Sequence, residues 1–142
     1  VKDNNYDFAG EFSGHVCFND DFYGFDDALY AACRLLKILS NSNFSISKYL
    51  DDVPKYVSSS ESYIKVLESK KDLIVNKVLK YAKEKKYKVT KVDGVRIEYD
   101  DGFALVRKSN TSACITVRFE GKTLAEMESH RLEILKIINE EI

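Results

Sequence analysis

VRIEYDDGFALVRKSNTSACITVRFEG, residues 95–121, reads as three strands joined by two turns. Apolar residues alternate at Val95, Ile97 and Tyr99, and again at Ile115, Val117 and Phe119. That period of two marks strands with one buried face. Asp100, Asp101 and Gly102 form a hairpin signal, because these residue types tolerate the backbone angles of a tight reversal. FALVR, 103–107, is then the return strand, and KSNTS, 108–112, is a polar loop before the next strand.

Working outward, YKVTKVDGVRIEY, 87–99, reads as one half-buried strand leading into this unit. Before it, KDLIVNKVLKYAKEKK, 71–86, repeats apolar residues at Ile74, Val78, Leu79 and Ala82 and ends in lysines that suit a helix C-terminus. YVSSSESYIKV, 56–66, reads as a first strand. After it, Thr123 with Glu126 has the spacing of a capping box and opens a helix through Met127, Ile134, Leu135 and Ile138. The order β-α-β-β-β-α predicts an α+β domain over 57–142: a four-stranded antiparallel sheet with two helices on one face.

The first third of the chain is different. Residues 6–19 read as short extended pieces around a glycine turn. GFDDALYAACRLLKIL, 24–39, places Phe25, Ala28, Leu29, Ala32, Leu35, Leu36 and Leu39 at helical spacing. Asp26 and Asp27 are expected in the first turn, where the helix dipole favours carboxylates. The apolar face is wide, and 24 preceding residues cannot cover it, so its partner surface is expected in chain absent from this sequence. Residues 41–56 are rich in Ser, Asn and Asp, hold the only proline, Pro54, and read as a linker with one short helical turn. The absence of a starting Met at Val1 fits the expectation of a piece cut from a longer chain.

Lys and Arg number 22 against 23 Asp and Glu, a net charge of −1. Such a balance disfavours non-specific nucleic-acid binding, which needs surplus cations. No apolar run approaches the ~18 residues of a membrane span. Cys17, Cys33 and Cys114 are far apart and lack metal-ligand spacing. They are expected to be reduced, mostly buried thiols of a cytoplasmic protein.

Two loops carry convergent polar groups. In RKSNT, 107–111, Arg107 offers a guanidinium fork that matches phosphate oxygens, while Ser109, Asn110 and Thr111 add hydroxyl, amide and backbone donors. A polar hairpin turn has the same composition, and on spacing alone that is the commoner reading. In GEFSGH, 10–15, Glu11, Ser13 and His15 alternate; in an extended segment they would share one side. They suit sugar hydroxyls, and His15 suits general acid or base work. The commoner reading is a solvated loop. Neither loop offers a metal-ligand set.

GEFSGHVCFNDDFYGFDDALYAACRLLKIL, 10–39, resembles the sugar-recognition segment of the α-D-phosphohexomutases, which carry GE-x-SGH followed by GFDD and a helix. DGVRIEYDDGFALVRKSNTSACITVRFEG, 93–121, resembles the phosphate-binding segment of their last domain, with its R-x-S-N-T signature. Within the family the likeness is closest to bacterial phosphomannomutase/phosphoglucomutase, since phosphoglucosamine mutases usually show S-G-T where Asn110 stands here. Phe12, and Ser112 with Ala113, depart from the usual pattern without removing a donor.

The resemblance implies the end of the family's third, α/β domain over 1–40, a hinge over 41–56, and a TBP-like fourth domain over 57–142. It implies that Glu11, Ser13 and His15 bind the sugar, with His15 as acid or base, and that Arg107, Ser109, Asn110 and Thr111 hold the phosphate not being transferred. The expected partners are a phosphorylated hexose and the N-terminal domains of the same chain, with no nucleic acid or membrane. The full enzyme would use Mg²⁺ and a hexose 1,6-bisphosphate. The phosphorylated serine and the aspartate-rich metal loop belong to segments this sequence lacks, so the expected portion is inactive alone. The alternative is a stand-alone phosphosugar-binding or regulatory module without catalysis.

Overall fold

The computed structural model describes residues 5–11 and 13–142. The chain divides into two compact units between Val53 and Pro54.

In the first unit, β1 (Phe8–Gly10) and β2 (Val16–Phe18) form an antiparallel hairpin, with Phe8 opposite Phe18 and Gly10 opposite Val16. α1 spans Ala28–Ser40. Asp26 and Asp27 are not in its first turn, as the sequence suggested. Asp27 is the N-cap, accepting the Tyr30 backbone N–H at 2.7 Å, and Asp26 accepts the Val16 N–H at 3.1 Å. The reason is that an aspartate at the cap satisfies an orphan N–H that a helical aspartate cannot. No residue of α1 is buried, and Leu29, Leu36 and Ile38 are 77%, 63% and 52% exposed. Its inner side meets a small aromatic cluster: Phe18 lies edge-on to Tyr30, Phe22 stacks on Tyr30, and the Arg34 guanidinium sits over Phe18. A 3-10 turn over Ile46–Leu50 precedes the boundary.

The second unit holds every buried apolar side chain among the described residues. Its strands are β3 (Val57–Ser58), β4 (Ser62–Lys65), β5 (Lys88–Thr90), β6 (Val95–Tyr99), β7 (Gly102–Lys108) and β8 (Cys114–Gly121). The order is β3-β8-β7-β6-β5, with β4 also on β8, and every pairing is antiparallel. α2 (Lys71–Glu84) and α3 (Leu124–Asn139) pack on the sheet and on each other. The α+β class is as read from the sequence, but there are more strands than the four expected. The first expected strand is two pieces, β3 and β4, on the same edge of β8. They break at Ser59, whose Oγ takes the Phe119 N–H at 3.0 Å and replaces a ladder carbonyl. The expected strand over 87–99 is the hairpin β5–β6, which turns at Gly94 (φ +81°).

Periodicity locates the core well. Ile74, Val78 and Ala82 of α2 meet Val95 and Ile97 of β6, Ala104 and Val106 of β7, Ile115, Val117 and Phe119 of β8, and Ile134 and Ile138 of α3. The capping box at Thr123 and Glu126 is present. Long β7–β8 pairing, from Gly102 opposite Gly121 to Lys108 opposite Ile115, makes a rigid ladder that presents the 109–113 loop at its end.

Candidate functional site

The loop between β7 and β8 is organised around Ser109. Its Oγ accepts the backbone N–H groups of Thr111 (3.3 Å) and Ser112 (3.1 Å), and its own N–H reaches the Cys114 carbonyl at 3.1 Å. Two N–H groups therefore converge on one oxygen, a turn that serine stabilises by mimicking backbone and a geometry suited to an anion's oxygen. Asn110 and Thr111 are exposed at the tip, and their side chains make no hydrogen bond to another described residue. The loop is also held from below. Lys71, at the start of α2 and only 3% exposed, donates to the Ser109 carbonyl at 2.8 Å and pairs with Glu68 at 2.7 Å.

Arg107 is the last but one residue of β7 and is 42% exposed. Nη1 donates to Asp93 Oδ2 at 2.9 Å and Nη2 to Glu61 Oε1 at 3.4 Å. The hydrogen bond to Asp93 raises the guanidinium above its usual pKa, so it stays charged. Asp93 is placed by its neighbour: a Cβ on Gly94 would lie 2.4 Å from the Val106 carbonyl and 2.7 Å from Arg107 Cβ. Only glycine permits both that approach and the positive φ. Glu61 is held on its other oxygen by the Tyr63 hydroxyl at 3.1 Å. Structure thus brings Arg107, Ser109, Asn110 and Thr111 to one end of the β7–β8 hairpin. It adds Lys71, Asp93 and Glu61, which sequence reasoning missed. The Asp93-Gly94 pair is a turn signal that could have exposed the β5–β6 hairpin, and Glu61 alternates with Tyr63. A buried lysine such as Lys71 leaves no trace in the pattern.

The GEFSGH loop lies in the first unit. It is the β1–β2 turn and not an extended run, since Gly14 has φ +89° and its N–H returns to the Glu11 carbonyl at 3.0 Å. Glu11 and Ser13 meet through that reversal, with Ser13 Oγ donating to Glu11 Oε2 at 3.0 Å. His15 Nδ1 sits 3.5 Å from Asp26 Oδ2, and both side chains are largely exposed. Phe12 lies outside the described residues. The second histidine, His130, is buried in the other unit, hydrogen-bonded to Asp101 at 2.9 Å and stacked on Tyr99. Cys17 is half-buried, Cys33 exposed and Cys114 buried, so the thiols are less buried than expected.

Residues 61–137 match the C-terminal domain of phosphoglucomutase/phosphomannomutase. The chain belongs to the phosphoglucomutase/phosphomannomutase family. Residues 1–56 match the family's alpha/beta/alpha domain III. A phosphomannomutase/phosphoglucomutase of Pseudomonas syringae pv. tomato is 42% identical over 120 residues, 84% of this chain and 26% of its own length. A phosphoglucomutase of Neisseria gonorrhoeae is 42% identical over 122 residues, with the same coverage. The crystal structure of a phosphoglucomutase/phosphomannomutase family protein from Burkholderia thailandensis superposes with a TM-score of 0.82 at 34% identity, over 99% of this chain and 29% of that one. The chain therefore spans about a quarter of the length of the curated relatives it matches. Among the described residues no group of three or more His, Cys, Asp or Glu side chains is placed to hold a metal ion, and no helix is long and apolar enough to cross a membrane.

Proposed function

We propose that this chain is the substrate-binding portion of a phosphohexomutase that interconverts hexose 1-phosphate and hexose 6-phosphate, of mannose or glucose, through a bisphosphate intermediate. The observation that carries this is the β7–β8 loop: the backbone N–H groups of Thr111 and Ser112 converge on Ser109 Oγ, two residues after Arg107, in a segment that matches the family's C-terminal domain. Arg107, Ser109, Asn110 and Thr111 hold the phosphate that is not transferred. Glu11 and Ser13 take sugar hydroxyls, a carboxylate and a hydroxyl being complementary to them. His15, with Asp26 beside its Nδ1, carries a proton near the reacting end. Residues 41–56 act as a hinge, so that one phosphate clamp serves a substrate bound in either direction. The three unpaired thiols suit a cytoplasmic setting.

The enzyme class implies Mg²⁺, which would supply charge stabilisation for phosphoryl transfer. The described residues here do not fit such a site, so its ligands belong to other segments of the full enzyme. The contribution of this chain is binding and orientation.

Inorganic phosphate titrated into the 142-residue chain and followed by NMR should shift residues 107–112. Arg107→Ala should abolish those shifts. In a full-length enzyme the same change should remove a charge-assisted pair worth roughly 1.5–3 kcal/mol, about 10- to 150-fold in kcat/KM, and equally for mannose and glucose phosphates. Arg107→Lys should restore only part, because a point charge replaces a planar fork. Shifts that avoid residues 107–112 would remove the basis for the clamp.

A further inference from the structure

We propose that Asp93 and Glu61 are internal counter-ions of the phosphate clamp, whose negative charges stay beside Arg107 and oppose the incoming phosphate, and that they keep the clamp weak enough to release its ligand. The inference rests on the reading of Arg107 as the clamp.

Lys71, Lys108 and Arg107, three cations at this end of the hairpin, are each paired with a carboxylate. Lys71 pairs with Glu68 at 2.7 Å, Lys108 with Asp72 at 2.8 Å, and Arg107 with both Asp93 at 2.9 Å and Glu61 at 3.4 Å. The two carboxylates on Arg107 come from different segments, the β5–β6 turn and the residue before β4, and each accepts from a different guanidinium nitrogen. Neither contact is casual. Gly94 packs the Asp93 turn against the backbone of Arg107, and Tyr63 holds Glu61 by its second oxygen. A guanidinium has five N–H donors, so a phosphate can bind without both carboxylates leaving. It must still bring two negative charges beside two others. A carboxylate about 6 Å from a dianion in a water-like medium lowers its binding by roughly tenfold, and less in salt. A clamp that grips one phosphate and then lets the sugar turn needs such a limit on affinity. A purely structural role for these carboxylates has the opposite consequence: their loss would disorder Arg107 and weaken binding.

The sign of the effect is therefore the test. Phosphate is titrated into the 142-residue chain at about pH 8, where it is mainly dianionic, and the shifts of residues 107–112 are read by NMR. Asp93→Asn keeps an acceptor for Arg107 and removes the charge. It should lower the half-saturating phosphate concentration about 3- to 10-fold. Glu61→Gln should act in the same direction and less strongly, given its longer contact. It also provides the measurement if Asp93→Asn fails to fold. Half-saturation equal to or above that of the parent chain in a folded variant overturns the counter-ion proposal while leaving the clamp intact. Absence of phosphate shifts in the parent overturns the clamp reading itself, and the proposal with it.

Discussion

Lys71 shows how a single buried charge can shape a loop 38 residues further along the chain; its ammonium joins the first turn of α2 to the Ser109 carbonyl and to Glu68. Lys71→Met keeps most of the packing volume and removes both contacts. Glu68 is 75% exposed and is re-solvated without difficulty, but the Ser109 carbonyl loses its donor. The expected cost is about 1–3 kcal/mol in urea unfolding, with broadened NMR signals over 109–113. Full stability with an unchanged loop would show that Lys71 does not position it.

Between elements, Glu133 of α3 performs a comparable role. It accepts the hydroxyls of Tyr81 from α2, Tyr87 ahead of β5, at 3.3 Å, and Tyr99 from β6, at 3.0 Å. Burial, followed by the charge of Glu133, pushes the Tyr99 phenol well above its usual value near 10. The native state keeps this proton where the unfolded chain releases it. Above about pH 10 the unfolded state therefore binds fewer protons, and stability falls as pH rises. Denaturation midpoints should drop between about pH 9 and 11, and Tyr99→Phe should flatten the fall. A pH-independent midpoint over that range would contradict the assigned environment. α1 illustrates the opposite case, an element without a core. Its apolar side chains are exposed, while α2 and α3 bury theirs completely at several positions. Amide exchange in the isolated chain should be faster in α1 than in α2 and α3. Equal protection in a monomer would count against this difference.

For the molecule as a whole, the reading of this chain as a binding portion predicts that binding and catalysis separate. The purified 142-residue chain, given Mg²⁺ and a hexose 1,6-bisphosphate, should not turn over mannose 1-phosphate, because phosphoryl transfer needs charge neutralisation and no group of three or more His, Cys, Asp or Glu among the described residues is placed to hold the metal. Steady production of mannose 6-phosphate would sink the reading of this chain as a binding portion.

Local periodicity was enough to place α2, α3 and the strands of 95–121, and to name their core positions, because each buries one face and so writes its period into the residues. The alternation likewise located Arg107 near the end of a strand and Ser109–Thr111 in the loop after it. Three-dimensional packing settled the rest. The β5–β6 turn escaped notice because Lys88–Thr90 is a short edge strand that continues the same alternation. The split between β3 and β4 depends on a side-chain oxygen of Ser59 replacing a ladder carbonyl, which has no periodic signature. Asp27 became a cap because a neighbouring N–H lacked a partner. The carboxylates on Arg107 come from residues 14 and 46 positions away along the chain. Charge pairing across a folded sheet is set by which strands become neighbours, and strand order is a property of the whole fold.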